Sequence, residues 1–383
     1  MWRRAVSALL GVADLACSIS MELGSRPIRP FALAACLFVL LCAPASAADV
    51  LFVQTNAPNG GNAVRVSVAS KGGKFRSAGT FRTGQSGTGK GVPSEGTLAL
   101  TSDRRYLAVL DVGSSTVTVF RVGKGRLQRT DRLGSGGRRP VSIASGPEDR
   151  FLVLNAGGTA NLAGFSVQPT SGKLLPLPSF SAPLSESGAS PYAVSLAPSG
   201  NRAAVSYAKA QPGRDLEVFS IVGGQLTSSF LAAVQGGRPS PITFLGEDRI
   251  LVGRMASSGA GLATYTVGQG LGNISVISAI LPCWVEVDDG GGLGWAASPS
   301  SVAAFGIGSN GTLSKLGSKQ LPGRSSDLTI GEGGRRLYLL NQRHGRVRVL
   351  ALDPQKLAVI GSSPRLPATT TGIIDLPNNI GGF

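Results

Sequence analysis

Histidine and cysteine are scarce in this chain. One histidine, His344, and four cysteines serve 383 residues, too few for the common zinc ligand sets. Cys17, Cys36 and Cys42 lie within the first 47 residues, so a chain trimmed there keeps only Cys283 and forms no internal disulfide. The neighbours of Cys283, in Leu281-Pro282-Cys283-Trp284-Val285, mark it as a buried small hydrophobe rather than a reactive thiol. Calcium needs several converging oxygen ligands, and Asp288-Asp289 sits on a turn before three glycines, expected on the face opposite any ligand mouth. No metal and no cofactor are expected. Aromatics make up 6% of the chain and no basic tract interleaves them, so specific nucleic-acid binding is not expected either. Beyond residue 47 no window sustains a 3.6-residue apolar period, which leaves little room for helix.

The one apolar run, Phe31 to Leu41, is too short to span a bilayer comfortably. Arg26 and Arg29 precede it and Ala45-Ser46-Ala47 follows, the layout of a removable signal peptide cut before Ala48. Met21 sits where such a peptide would begin. Lipoprotein processing at Leu33-Ala34-Ala35-Cys36 is disfavoured, because most of the apolar run would follow the cut. The expectation is an exported protein, periplasmic or extracellular, with no transmembrane anchor after cleavage and monomeric.

The chain is rich in positive charge, glycine and proline. Its formal net charge is +16, of which residues 1–47 carry little (four arginines against Asp14 and Glu22). That excess favours anionic small molecules or acidic polymers as partners, although the charges are scattered one or two per loop. Gly 54 and Pro 23 fall between short hydrophobic runs rather than in one block.

Seven of those runs share a layout, each a strand-like stretch just after a turn: 51–54, 106–110, 151–155, 203–207, 250–252, 293–297 and 337–341. They recur every 43 to 55 residues, and a period of that size with several short strands per unit points to a β-propeller. Alternating runs such as Thr116 to Val122 and Leu216 to Ile221 follow within the units, as strands packed on one face would. The first run has no inner strand ahead of it. Thr371-Gly372-Ile373-Ile374-Asp375-Leu376 resembles the inner-strand openings at Gly96 and Pro140, so the last strand is expected to complete the first blade and cover its edge. The fold class is therefore all-β, a seven-bladed β-propeller over residues 48–383.

Ser135-Gly136-Gly137-Arg138-Arg139-Pro140-Val141-Ser142-Ile143-Ala144, then Phe151 to Gly158, Gly164-Phe165-Ser166-Val167 and Thr170 to Leu174 form one unit with a Gly-x-x-Pro lead-in and a Gly-x-Leu outer hairpin. Gly224-Gln225-Leu226 and Gly311-Thr312-Leu313 repeat the last element. This unit resembles a blade of the seven-bladed lactonase family, which includes bacterial 6-phosphogluconolactonase and 3-carboxymuconate-cyclase-like proteins, and the similarity extends over nearly all of residues 49–376. The resemblance implies a ligand mouth on the face bearing the inner-strand lead-ins, and chemistry by His, Glu and Arg placed there.

This chain departs from that set. Its lead-ins carry Arg139, Arg238 and Arg324, and its only histidine, His344, lies on a seventh-blade loop. Guanidinium forks suit carboxylate or phosphate, so the three arginines are candidate ligand-binding residues; the bland reading gives them neighbouring loop carbonyls or solvent. Lactone chemistry needs a proton carrier and an oxyanion clamp. Glu95 is the best-placed carboxylate, followed by Asp327, and Glu95 and His344 are the candidate catalytic residues. Two functions stay open: a lactonase-like enzyme hydrolysing or forming an acidic lactone, and a non-catalytic propeller binding a partner protein or anionic envelope polymer. Fold alone does not choose between them.

Three motifs carry less than they suggest. Gly84 to Gly91 approaches a phosphate-binding loop, but lacks Ser or Thr after Lys90, has Pro93 where a helix would start, and reads as a long flexible inter-blade loop. Ser206-Tyr207-Ala208-Lys209 has Ser-x-x-Lys spacing, yet on a strand those two side chains point to opposite faces. Asn273-Ile274-Ser275 and Asn310-Gly311-Thr312 fit glycosylation acceptors, which matters only in a host that modifies them.

Overall fold

Seven four-stranded antiparallel sheets form the ring seen in the computed structural model. The structure describes residues 48–376 apart from Pro93, 124–125, Ser187, 256–259, Ala279, 332–333 and 354–355. The expected signal peptide, with Met21 and the cleavage point after Ala47, lies outside the described residues. No α-helix occurs among the described residues, in line with the missing 3.6-residue period.

Strand β1 (Asp49–Gln54), β2 (Ala63–Ala69) and β3 (Phe75–Arg82) begin the first blade, and β28 (Thr371–Leu376) closes it. The register pairs Val50 with Leu376, Leu51 with Asp375, Phe52 with Ile374 and Val53 with Ile373. The closure expected from the sequence is therefore what the chain does. Blades two to seven run inner to outer from β4 (Leu98–Leu100), β8 (Arg138–Gly146), β12 (Ser190–Leu196), β16 (Pro239–Phe244), β20 (Trp284–Val287) and β24 (Ser325–Ile330). All seven runs picked out by their period are second strands: β1, β5 (Tyr106–Asp111), β9 (Arg150–Gly157), β13 (Arg202–Lys209), β17 (Arg249–Arg254), β21 (Leu293–Ala297) and β25 (Arg336–Asn341).

Burial explains why those runs stood out. A second strand is flanked by strands on both edges and by blades on both faces, so β1, β5 and β25 are buried throughout and read as continuous hydrophobic stretches. Outer strands such as β3 and β19 (Leu271–Ser278) are half to fully exposed at most positions, which explains their weak sequence pattern. Every outer hairpin also carries a register shift, for example at Val119/Phe120 and Thr264/Tyr265. The extra residue raises local twist, as a blade must twist to splay outward from a crowded axis.

Near that axis, small hydroxyl side chains stitch one blade to the next. Ser142 Oγ donates to the Glu95 carbonyl at 2.6 Å and accepts from Val194 N at 3.2 Å. Ser206 Oγ donates to the Ser240 carbonyl at 2.6 Å, and Ser240 Oγ donates to that of Pro282 at 2.8 Å. Where the ring closes, the buried Arg336 pairs with Asp49 at 3.0 Å, and Tyr338 donates its hydroxyl to the same carboxylate.

The glycine-rich segment 84–91 is an inter-blade loop, but it is pinned rather than loose. Asn56 Oδ1 accepts from Thr88 N at 3.0 Å, and Gly87 N donates to the Ala57 carbonyl at 2.7 Å. A Cβ on Gly87 would meet the Asn56 carbonyl carbon at 2.2 Å, so the close approach requires glycine there. Ser206 is buried on β13 and Lys209 is exposed at its end, so the two do not form a pair.

Candidate active site at the channel mouth

The inner strands bring three carboxylates to the channel. Glu95 stands on the lead-in to β4 in blade two, Glu286 on β20 in blade six and Asp327 on β24 in blade seven. Glu95 reaches across to blade six, where its Oε1 accepts from Val285 N at 2.7 Å. Its lead-in is fixed by Trp284, whose indole N–H donates to the Ser94 carbonyl at 3.2 Å. The other oxygen of Glu95, Oε2, is buried, and the backbone N–H of Ile242 on β16 also acts on this carboxylate.

Enclosure by protein raises the Glu95 carboxyl well above its ordinary range, and the charges of Asp327 and Glu286 push it the same way, against the N–H groups of Val285 and Ile242. Burial raises Glu286 to about 8, with help from the charges of Asp327 and Asp289. Asp327 rises to about 7 through burial, although its two oxygens accept from Leu328 N and Ile373 N, both at 2.9 Å. Removing a carboxylate from water disfavours its charged form, and like charges nearby disfavour it further. The cluster is therefore a store of protons near neutral pH, a property of functional sites and of buried structural networks alike. Asp327 has a structural duty as well, since Ile373 belongs to β28 and the bond ties blade seven to blade one.

Beside the cluster, a cleft of about 450 Å³ opens on the lead-in face. Blades two to five wall it, through the pinned loop at Lys90 to Val92, Arg139 and Val141 of β8, Tyr192 of β12, and Met255 beyond β17. Tyr192 belongs to both places. It lines the cleft, donates its hydroxyl to the Cys283 carbonyl at 2.9 Å, and is raised well above its usual pKa by burial and by the charges of Cys283, Glu95 and Asp327.

The arginines chosen from the sequence do not share one pocket. Arg139 lines the cleft and lies within 3.5 Å of the Ala156 carbonyl through Nη2, close to the bland reading of such residues. Arg238 lines a neighbouring groove with Lys209 and Asp215, and only Ala208 is common to both walls. Arg139 and Arg238 each precede a proline and adopt φ of 52°, so equivalent turns start β8 and β16. Arg324 is exposed, and its charge is near enough to oppose the rise of Cys283. His344 is exposed on the loop after β25, its N–H donating to Asn341 Oδ1 at 3.1 Å. A Cβ on Gly323 would meet the His344 ring at 2.6 Å, which places the imidazole beside the Arg324 lead-in rather than among the carboxylates.

Two further face residues serve the fold. Asp111 is buried and accepts from Asn62, Thr116 and Thr118. Arg254 is buried and donates to the Gln235 carbonyl at 2.6 Å. Cys283 is buried, and burial pushes its thiol up to about 11. Asp288 and Asp289 line a separate pocket of about 310 Å³ with Glu286 and the turn after β16, on the face opposite the lead-ins. Among the described residues no group of three or more His, Cys, Asp or Glu is arranged to hold a metal ion.

Comparison with known proteins agrees with this architecture. Residues 61–185 match the family model for Lactonase, 7-bladed beta-propeller. Among solved structures, the periplasmic gluconolactonase of Pseudomonas aeruginosa superposes with a TM-score of 0.71 at 16% identity, covering 87% of this chain and 100% of that one. A putative 6-phosphogluconolactonase from Bacteroides fragilis gives 0.68 at 15% identity over 87% and 99%. Another from Bacteroides uniformis gives 0.69 at 14% over 86% and 99%. At such identities these structures speak for the fold. No curated protein sequence matches the chain.

Proposed function

We propose that this seven-bladed propeller, whose residues 61–185 match the lactonase family, opens or closes an acidic lactone at its channel mouth. The observation that carries the reading is Glu95, a carboxyl raised by burial and anchored on the Val285 N–H, three residues along from Val92, whose loop walls a cleft with a cationic rim. In hydrolysis, water adds to the lactone carbonyl with its proton passing to bulk solvent, and the ring C–O bond then breaks. The departing alkoxide needs a proton, which a neutral carboxylic acid supplies near pH 7. Arg139 and Lys90 hold the substrate carboxylate and face the developing oxyanion. Burial is the main influence that raises the Glu95 carboxyl, and the charges of Asp327 and Glu286 add to it as those groups ionise. Glu95 carries the proton in this reading rather than His344, because His344 stands apart from the cluster.

The test is a panel of acidic lactones with wild type, Glu95→Gln and Arg139→Ala. Loss of a general acid lowers kcat about 100-fold or more, while Arg139→Ala is expected to act mainly on KM. A wild type that turns over none of the lactones removes the enzymatic reading, and an unchanged Glu95→Gln rate removes Glu95 from it.

A second reading rests on the exposed Arg138, Arg139, Arg238, Arg324 and Arg343 of the lead-in face. Spread over several blades, they suit an extended anionic polymer or an acidic partner surface. Export to the periplasm or beyond belongs to either reading; the leader pattern supports it, as does a periplasmic structural neighbour. N-terminal sequencing of the protein from fractionated cells is expected to begin at Ala48, and a start within residues 1–47 from an intact product would overturn it.

A further inference from the structure

We infer that the cleft beside Glu95 takes an amphiphilic anion, one carboxylate on an alkyl or aryl body, rather than a polyhydroxylated sugar acid or its lactone. The inference rests on the reading of this cleft as the substrate site and names the substrate class. Its walls are Val92, Val112, Val141, Pro191, Ala208 and Met255, together with Tyr192. The polar groups among them are largely engaged already. The Tyr192 hydroxyl donates to the Cys283 carbonyl at 2.9 Å. Thr88 Oγ1 donates to the Lys90 carbonyl at 3.1 Å and accepts from Asn56 Nδ2 at 2.8 Å.

What is left is charge at the rim and one hydroxyl. Lys90 and Arg139 are exposed there, and Ser190 stands at the start of β12. A sugar acid seated here would bury several hydroxyls against carbon with no partners, each loss weakening binding. An alkyl or aryl body loses nothing by the same burial and gains about fourfold in affinity per methylene removed from water. The volume, about 450 Å³, is within the range of small-molecule pockets. One or two cationic groups over an apolar floor are complementary to a single carboxylate on such a body.

The experiment is calorimetric titration of the purified protein with hexanoate, octanoate and gluconate, with the combined fluorescence of Trp284 and Trp295 as a second readout. The expected result is octanoate binding about 15-fold tighter than hexanoate, about fourfold for each of its two extra methylenes, with gluconate neither binding nor competing. Arg139→Gln is expected to weaken octanoate about tenfold, and Ala208→Trp to abolish binding while the melting temperature holds. Gluconate binding as tightly as octanoate overturns the inference. So does a folded wild type that ignores octanoate, or octanoate binding indifferent to both substitutions. Turnover of a sugar lactone without octanoate binding sinks the substrate class and leaves lactone hydrolysis standing. Octanoate binding that obeys both substitutions, with no lactone turned over, supports the inference and sinks the hydrolysis.

Discussion

Glu286 and Asp327 show what enclosure does to a single side chain. Both carboxyls are raised by burial, to about 8 and about 7 from ordinary values of 4.5 and 3.8. Between about pH 4 and pH 8 the folded protein therefore holds protons that the unfolded chain has already released. Wherever the native state binds more protons than the unfolded state, stability falls as pH rises. The domain is accordingly expected to melt several degrees higher at pH 5.5 than at pH 8.5, measured by calorimetry. Glu286→Gln is expected to flatten that slope by removing the charge that high pH forces into the channel; a slope identical to wild type would mean that Glu286 titrates normally. Cys283 gives a second residue-scale test. A thiol that is buried and raised to about 11 is almost wholly protonated at pH 8. It should resist a disulfide-exchange reagent in the native protein and react fully in denaturant, and rapid native labelling would contradict its placement.

At the scale of elements, the ring depends on its closure. β28 pairs with β1 from Val50 to Gln54 with a register shift at Val53/Gln54, and Ile373 and Asp375 reach blade seven through Asp327 Oδ2 at 2.9 Å and Thr329 Oγ1 at 3.4 Å. Deleting residues 370–383 would leave β1 with an open edge and expose Leu51 and Phe52, both fully buried. The truncated protein is expected to be insoluble or to melt well below wild type; an unchanged melting temperature would show that the ring does not need its last strand. The same seam contains Arg336, which joins Asp49 at 3.0 Å and the Ser70 carbonyl at 2.8 Å. Removing one partner of a buried ion pair typically costs about 3–5 kcal/mol. Arg336→Ala is expected to lose about that much in denaturant unfolding, and a loss under about 1 kcal/mol would assign the seam's strength to the strand ladder alone.

For the whole molecule, charge and architecture combine. The ring keeps +14 of the chain's +16, since residues 1–47 hold four arginines against two acids, and that charge gives weak attraction to polyanions from any side, so retention on an anionic resin says little by itself. The informative comparison is between faces. If the lead-in face binds polymer, Arg139→Gln with Arg238→Gln should elute at clearly lower salt than Lys71→Gln with Lys74→Gln, a control pair on the β2–β3 turn of the opposite face. Equal elution would reduce the effect to net charge and remove the polymer-binding reading.

The sequence by itself determined the ring. Second strands are buried on every side, so their hydrophobic runs and period announced seven blades, and the orphaned first run with the inner-strand-like 371–376 announced the closure. It also singled out Glu95, with Asp327 behind it, because lead-in positions can be counted from the repeat. The tertiary structure alone decided the company those residues keep. Glu286 and Tyr192 were not found from the sequence: they sit inside ordinary strands, β20 and β12, and what distinguishes them is which side chains the other blades aim at the same axis. The separation of Arg139 from Arg238 was hidden for the same reason, since equal places in two blades face different neighbours. A repeat encodes each blade's own hydrogen bonds and burial locally, whereas a channel site is assembled from residues as distant in sequence as Glu95 and Val285, 190 positions apart, and only the closed ring brings them within reach.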